Sequence, residues 1–357
     1  MHLEENKSLA PFTTFGTGGP ARWYLQATSE EEIVGAVEWA EQQSLPLFVL
    51  GGGSNLLVSD AGFPGLVLHI ALRGVTAIDD GAYRVYQAAA GEDWDTFVQR
   101  AVDDKCAGIE CLAGIPGTVG GTPVQNVGAY GQEVASSITR VRAFDLRSHV
   151  FVDLPAEDCN FNYRRSRFNS TDRGRFIVTR VDYRLTRAGA PTLRYADLQR
   201  AFSSGSSPTL AQVAAEVRRI RASKGMLLVE GDPDSRSAGS FFKNPIVPAD
   251  LLSNIAETAG TQPPHFPADL ETSSAARVKI PAAWLIEQAG YARGYTLGAA
   301  AVSSRHTLAL INRGGATAAE ILALADRIAS AVEDRFGILL EREPVLVGFD
   351  AEPLHPH

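Results

Sequence analysis

The chain has 357 residues, of which 45% are apolar and 21% charged, the make-up of a globular protein with two or three domains. A formal net charge of −8 excludes the broad basic surface that nucleic acid or an anionic membrane requires, though it leaves room for a local phosphate site. Three cysteines (Cys106, Cys111, Cys159) form no CxxC pair and cannot all be bridged within one chain, so they read as buried thiols in a reducing compartment.

The start, Met1 to Lys7, has neither a cationic leader nor an apolar run, and no window has the uncharged length to span a bilayer. The expectation is a cytoplasmic protein with no membrane role. Ser29-Glu30-Glu31-Glu32 then has the pattern of a helix-starting box, followed at helical spacing by Ile33, Val34, Ala36, Val37 and Ala40. That helix should stop before Pro46. Leu47 to Leu50 reads as a short buried strand running into Gly51-Gly52-Gly53-Ser54-Asn55, with Leu56-Leu57-Val58 beyond. Helix, strand and glycine turn in this order predict an α/β unit whose loop comes close to a ligand.

From about residue 66 the pattern turns strand-rich, at Leu66 to Leu68, Val85 to Ala88 and Ile177 to Leu185. Helices are expected at 94–102 and 210–220, with the glycine-rich stretch Leu112 to Gly131 between them. Residues 229–240 mark a junction, and helices follow at 281–289 and 317–336. Thr317-Ala318-Ala319-Glu320 starts the last helix. The tail after Phe349 reads as disordered.

Two glycine clusters are candidate phosphate cradles, because consecutive backbone N–H groups beside small hydroxyls suit a pyrophosphate. One is Gly51 to Asn55; the other is Gly114-Ile115-Pro116-Gly117-Thr118-Val119-Gly120-Gly121, continued by Asn126-Val127-Gly128-Ala129-Tyr130-Gly131. Either loop alone could be an ordinary tight turn. Neither is GxGxxG, and GxxxxGK[ST] is absent, so a large cofactor held by two separate loops fits better than a Rossmann site or P-loop. HExxH and paired Cys/His spacings are missing, which points away from a metal.

These residues resemble the flavin-binding fold of the vanillyl-alcohol-oxidase type. More narrowly, the chain is similar to the UDP-N-acetylenolpyruvoylglucosamine reductase family. The likeness is carried by Thr13-Thr14-Phe15-Gly16, Gly51 to Leu57, Gly114 to Gly121, Gln125 to Gly131 and Phe161-Asn162-Tyr163-Arg164. Gly239-Ser240-Phe241-Phe242-Lys243-Asn244-Pro245 and Leu340-Glu341-Arg342-Glu343-Pro344-Val345 complete it.

The resemblance implies an α+β protein: a two-part FAD-binding fold plus a C-terminal α+β substrate-binding domain. The expected division is 1–70 and 71–228 for the FAD-binding parts, the second with a tyrosine-loop insertion, then 229–349 for substrate and 350–357 as tail. It implies non-covalent FAD, NADPH as co-substrate, and the enolpyruvyl ether of UDP-N-acetylglucosamine as the acceptor. The FAD residues would be Gly51, Gly52, Gly53, Ser54, Asn55, Leu56, Gly114, Ile115, Pro116, Gly117, Thr118, Gly120, Gly121, Asn126, Gly128, Ala129 and Ile177. No histidine lies in the glycine loops, while spacing alone leaves Cys111 open as a flavin attachment point.

The resemblance also assigns the chemistry. Negative charge developing beside the substrate carboxylate calls for a fixed cation and then a proton. Arg164 would supply the cation, Ser240 the proton, and Glu343, the second glutamate of its motif, would polarise the enolpyruvyl group or relay the proton. Read without the likeness, Arg164 belongs to a solvated charged run, Ser240 to a turn, and Glu343 to the surface. Substrate contacts would come from Tyr130, Tyr163, Tyr195, Lys224, Asn244, Phe266 and His306. Tyr195-Ala196-Asp197-Leu198 resembles the tyrosine segment of the enterobacterial class, although His265-Phe266-Pro267 stands where that class has a tyrosine. Lys224, after the helix rich in Arg218, Arg219 and Arg221, is placed either for the substrate phosphates or as part of a cationic helix end that complements the dipole. The expected state is a monomer without nucleic-acid or membrane partners. The competing readings are an FAD-dependent sugar or alcohol oxidase of the same fold, and a catalytically silent flavin or nucleotide-sugar binder.

Overall fold

The structure, a computed structural model, describes residues 1–202, 207–267 and 276–349; the tail expected after Phe349 lies outside them. Two compact units make up the chain. The first contains Met1–Lys7, Ala21–Gly53 and Phe63–Ser223; the second contains Ser8–Pro20, Ser54–Gly62 and the chain from Lys224 onward.

Among the described residues, unit one is built, besides a short hairpin of Gly128–Ala129 and Gln132–Glu133, on two main sheets. The smaller orders its strands Glu4–Ser8, Pro20–Ala27, Phe63–Ile70, Leu47–Leu50, and the last three run parallel. Leu66, Val67 and Leu68 are fully buried, as expected for a parallel strand covered on both faces. Helix Glu30–Gln42 buries Ile33, Ala36, Val37 and Ala40 along one stripe. Ser29 Oγ accepts the Glu32 N–H at 3.2 Å, but the Glu32 carboxylate reaches past it to the N–H and hydroxyl of Thr28 at 2.7 and 2.9 Å. The cap therefore spans two residues.

The larger sheet is antiparallel, in the order Val150–Pro155, Ile138–Asp145, Phe176–Arg187, Tyr83–Ala89, Val75–Asp80. Tyr86, Val181 and Tyr183 from this sheet share one core with Phe97, Val98 and Ala101 of helix Trp94–Asp103 and with Val213, Val217 and Ile220 of helix Leu210–Ser223. Each large side chain in such a core contributes on the order of 2 kcal/mol relative to exposure. This core fixes the two helices that later hold the second glycine loop.

Unit two packs small sheets on helices Leu251–Ala259, Ala282–Gln288 and Ala318–Phe336. The last buries Ile321, Leu324, Ala325, Ile328 and Val332, and Thr317 and Glu320 close its start reciprocally. Asp60 adds a second cap by accepting the N–H groups of Ala318 and Ala319 at 2.8 and 2.9 Å. Leu56–Val58 pairs in parallel with Val345–Val347, which is why an early segment belongs to this unit. Phe15 is also part of its core, and Asn312 Nδ2 donates to the Phe15 carbonyl at 2.9 Å. Among the described residues, no helix is long and apolar enough to cross a membrane.

Candidate active site

In unit one the two glycine loops touch. A Cβ on Gly52 would lie 2.5 Å from the Gly117 Cα, so only glycine lets the backbones approach this closely. A Cβ on Gly51 would lie 3.1 Å from Thr118 Oγ1. That hydroxyl is buried and has no hydrogen-bond partner among the described residues. An orphaned hydroxyl in a seam of bare backbone fits an anionic, many-acceptor group such as the pyrophosphate of a dinucleotide. Gly120 has a packing reason as well, since its Cβ would meet that of Ala90 at 2.6 Å.

Helices Trp94–Asp103 and Leu210–Ser223 grip the second loop from both ends of one residue. Asp95 accepts the Gly114 N–H at 2.6 Å and pairs with Arg218 at 2.8 Å. Arg221, buried, donates from Nε to the Gly114 carbonyl at 2.9 Å. Burial pulls the Arg221 pKa below its ordinary value, opposed by Tyr130 and Asp95. Arg219 pairs with Glu216. Of the arginines preceding Lys224, Arg218 and Arg221 thus clamp the loop and Arg219 forms a surface pair. Asp95 and the clamp role of the arginines had no local signal in the sequence, because Asp95 acts on a residue 19 positions away and Arg218 and Arg221 on residues 123 and 107 positions away.

Asn126, Gly128, Ala129 and Tyr130 form the continuation of that loop. Asn126 is buried and its amide is fully used: Nδ2 donates to Glu133 and to the Asn162 carbonyl at 2.9 and 3.0 Å, and Oδ1 accepts the Ala135 N–H at 3.1 Å. It thereby holds the hairpin turn Asn162 to Arg165, whose end residues exchange backbone bonds at 2.8 and 3.0 Å. Arg164 sits in this turn at φ 52°, where glycine is usual, with Asn169 Nδ2 on its carbonyl at 3.1 Å. Asn126 and Tyr130 also have positive φ, 46° and 50°. Strained non-glycine residues gathered this way are a mark of functional sites.

Arg164 lies over the exposed Tyr163 ring, 5.7 Å from its centroid. Tyr130 and Tyr195 meet edge to face at 5.2 Å. Ile177 is fully buried opposite Phe144 in the large sheet, so its side chain belongs to the core. Cys111 is enclosed, its Sγ donates to the Thr192 carbonyl at 3.3 Å, and burial pushes its thiol up. Such a thiol is ill suited to attaching a flavin.

In unit two, Ser240 and Glu343 are carried by neighbouring extended segments. Phe241 N–H donates to the Leu308 carbonyl at 2.7 Å, and the Glu343 N–H donates to the Phe241 carbonyl at 2.9 Å. Phe241 and Phe242 are buried and anchor the segment in the core. Glu341 is exposed and ion-paired to Lys243, whereas Glu343 is half-buried, which separates the two candidate glutamates. Asn55 braces the same strand, donating from Nδ2 to the Glu343 carbonyl at 3.2 Å and accepting the Val345 N–H at 2.9 Å. Ser54 and Leu56 flank it: the Ser54 carbonyl accepts from Thr14 Oγ1 at 3.3 Å, and Leu56 opens the strand paired with Val345–Val347.

Asn244 Oδ1 accepts the Ala282 N–H at 2.9 Å, so its NH2 group is the part available to a ligand. His306 Nδ1 accepts the Leu308 N–H at 3.1 Å. Burial, then the Lys224 charge, lowers the His306 pKa, which places these two residues in one neighbourhood and keeps the imidazole neutral. Phe266 is exposed, on a short strand against Lys279.

A paired-loop cradle with an orphaned hydroxyl, joined in sequence to an α+β unit bearing the serine and glutamate, defines a flavoprotein of the FAD-binding type. A family model described as an FAD binding domain matches residues 21–151, and one described as the UDP-N-acetylenolpyruvoylglucosamine reductase C-terminal domain matches 232–347. A Streptomyces coelicolor protein of that name is 48% identical over 95% of this chain and 89% of its own. A Thermobifida fusca protein of the same name is 44% identical over 96% of this chain and 97% of its own. Among solved structures, the crystal structure of the Thermus caldophilus reductase matches with a TM-score of 0.66 at 28% identity, covering 97% of this chain and 99% of that one. The chain belongs to the UDP-N-acetylenolpyruvoylglucosamine reductase family.

Proposed function

We propose that this chain reduces the enolpyruvyl ether of UDP-N-acetylglucosamine to UDP-N-acetylmuramate with NADPH, in the synthesis of peptidoglycan precursors. The observation that carries this reading is the likeness of nearly the whole chain, at 48% identity, to a relative bearing the reductase name. When bound, FAD supplies the hydride relay between NADPH and the enolpyruvyl carbon.

Gly51 to Gly53 and Gly114 to Thr118 would hold its pyrophosphate, the Thr118 hydroxyl supplying the donor that the seam leaves over. Arg164 is the fixed countercharge for the electron density that builds up beside the substrate carboxylate, and the strained turn holds its planar fork in place. Ser240 gives a proton to the carbon next to that carboxylate, its backbone bridged to Ala309 and followed by the buried Phe241 and Phe242. Glu343 polarises the group or replaces that proton. Tyr130, Tyr163, Tyr195, Lys224, Asn244, Phe266 and His306 bind the sugar nucleotide, with Lys224 set against the phosphates and neutral His306 as its neighbour. Residues 1–228 serve chiefly the flavin and 229–349 the substrate.

We further propose a cytoplasmic monomer without nucleic-acid or membrane partners, a reading supported by three buried free thiols and a net charge of −8. The test is Ser240→Ala followed by stopped-flow absorbance. Flavin reduction by NADPH should keep its rate, while reoxidation by the enolpyruvyl sugar should slow by about 10²–10⁴-fold, the usual worth of a placed acid. Equal slowing of both halves would remove Ser240 from the proton step.

A further inference from the structure

Unit one buries a carboxylate that the chemistry above does not use. Glu110 is fully inaccessible, and its oxygens are held by neutral donors. Oε2 accepts the Gly108 N–H at 2.8 Å; Oε1 accepts the Thr192 N–H and Gln132 Nε2, each at 2.8 Å. Burying a charge in this way is costly, and an apolar side chain would serve packing at least as well. What the carboxylate does is tie three segments together.

Gln132 stands two residues after Tyr130, and Thr192 stands three before Tyr195. Gln132 Nε2 also donates to Thr192 Oγ1 at 3.2 Å, and its Oε1 accepts the Cys111 N–H at 2.7 Å. Cys111 Sγ donates to the Thr192 carbonyl at 3.3 Å. The N–H, carbonyl and hydroxyl of Thr192 are therefore all held by residues 110, 111 and 132. Just beyond these anchors, the Tyr130 and Tyr195 rings meet at 86°, with Tyr130 8% exposed and Tyr195 41% exposed. One ring is part of the wall and the other stands open on a fixed post. Three residues of chain reach only about 10 Å, so where Thr192 is held limits where Tyr195 can go.

We propose that Glu110 is a positioning residue for the sugar-nucleotide site, fixing the base of the Tyr195 segment and setting Tyr195 against Tyr130. This rests on the substrate role proposed for Tyr195. The experiment compares the Glu110→Gln, Tyr195→Phe and double-variant holoenzymes with the unsubstituted one. Glutamine keeps the shape but removes the charge, and its NH2 must face one of the N–H donors.

Calorimetric titration of the oxidised holoenzymes with UDP-N-acetylmuramate should show Kd raised about tenfold by Glu110→Gln, with little further effect once Tyr195 is phenylalanine. Flavin content and the rate of anaerobic bleaching by NADPH should stay unchanged, which a general loss of structure would not allow. Thr192→Val, which removes only the hydroxyl, should shift Kd the same way by less, and it decides the matter should Glu110→Gln fail to fold. Full additivity of the two changes, or a parallel loss of NADPH bleaching, would overturn the proposal. A silent Glu110→Gln beside an effective Tyr195→Phe would overturn it and leave the role of Tyr195 standing; a silent Tyr195→Phe would remove both.

Discussion

Arg164 sits at φ 52°, a backbone conformation that costs a non-glycine residue about 1 kcal/mol or more, and neighbouring Asn126 and Asn169 hold its turn in place. Arg164→Gly should therefore leave unfolding free energy within about 1 kcal/mol of the original, strain relief and the added freedom of the unfolded chain nearly offsetting each other. Turnover should nevertheless collapse. Urea denaturation beside steady-state rates checks this, and a variant that stays active would remove the arginine from catalysis. The family resemblance drew attention to Arg164, Ser240 and Glu343, which read without it belong to a charged run, a turn and the surface. It could not show that Asn126 spends its side chain on the Arg164 hairpin, or that Arg221 and Asp95 clamp Gly114. Those bonds join positions far apart in the chain and leave no periodic or compositional trace.

Elements with their own signal were legible. Helix Ala318–Phe336 announced itself by a cap and an apolar stripe, and Leu47–Leu50 by a short apolar run before glycine. The parallel pairing of Leu56–Val58 with Val345–Val347 was not, since nothing in either triplet names a partner, and Asn55 and Glu343 are 288 positions apart. The same holds for the contact between the glycine loops, which the sequence showed only as two separate clusters. Gly52→Ala tests that contact. Its Cβ would lie 2.5 Å from the Gly117 Cα, so the backbones must part. The variant should fold, because the seam lies outside the hydrophobic core, but bind flavin poorly. The ratio of visible to protein absorbance after purification measures it, and full flavin content would show that the loops need not touch.

For the molecule as a whole, pH reports on groups buried in their neutral form. Burial lowers the pKa of His69, with the Arg73 charge adding to it, and burial and then Lys224 lower that of His306 from the ordinary 6.5. The unfolded chain binds these protons more readily than the folded one, so stability is complete above pH 6.5 and falls as pH drops below it through the lowered folded values. Replacing both histidines by glutamine should flatten the decline of Tm just below pH 6.5, before the carboxylates titrate. An unchanged slope would show that these imidazoles are solvated in the folded protein.

The central claim is a reductase that passes electrons from NADPH to an enolpyruvyl sugar nucleotide. An anaerobic titration followed by flavin absorbance tests it most directly. NADPH should bleach the purified protein, and UDP-N-acetylglucosamine enolpyruvate should then restore the colour in equal stoichiometry. A flavin that NADPH bleaches but that only oxygen restores would contradict the substrate assignment and favour an oxidase.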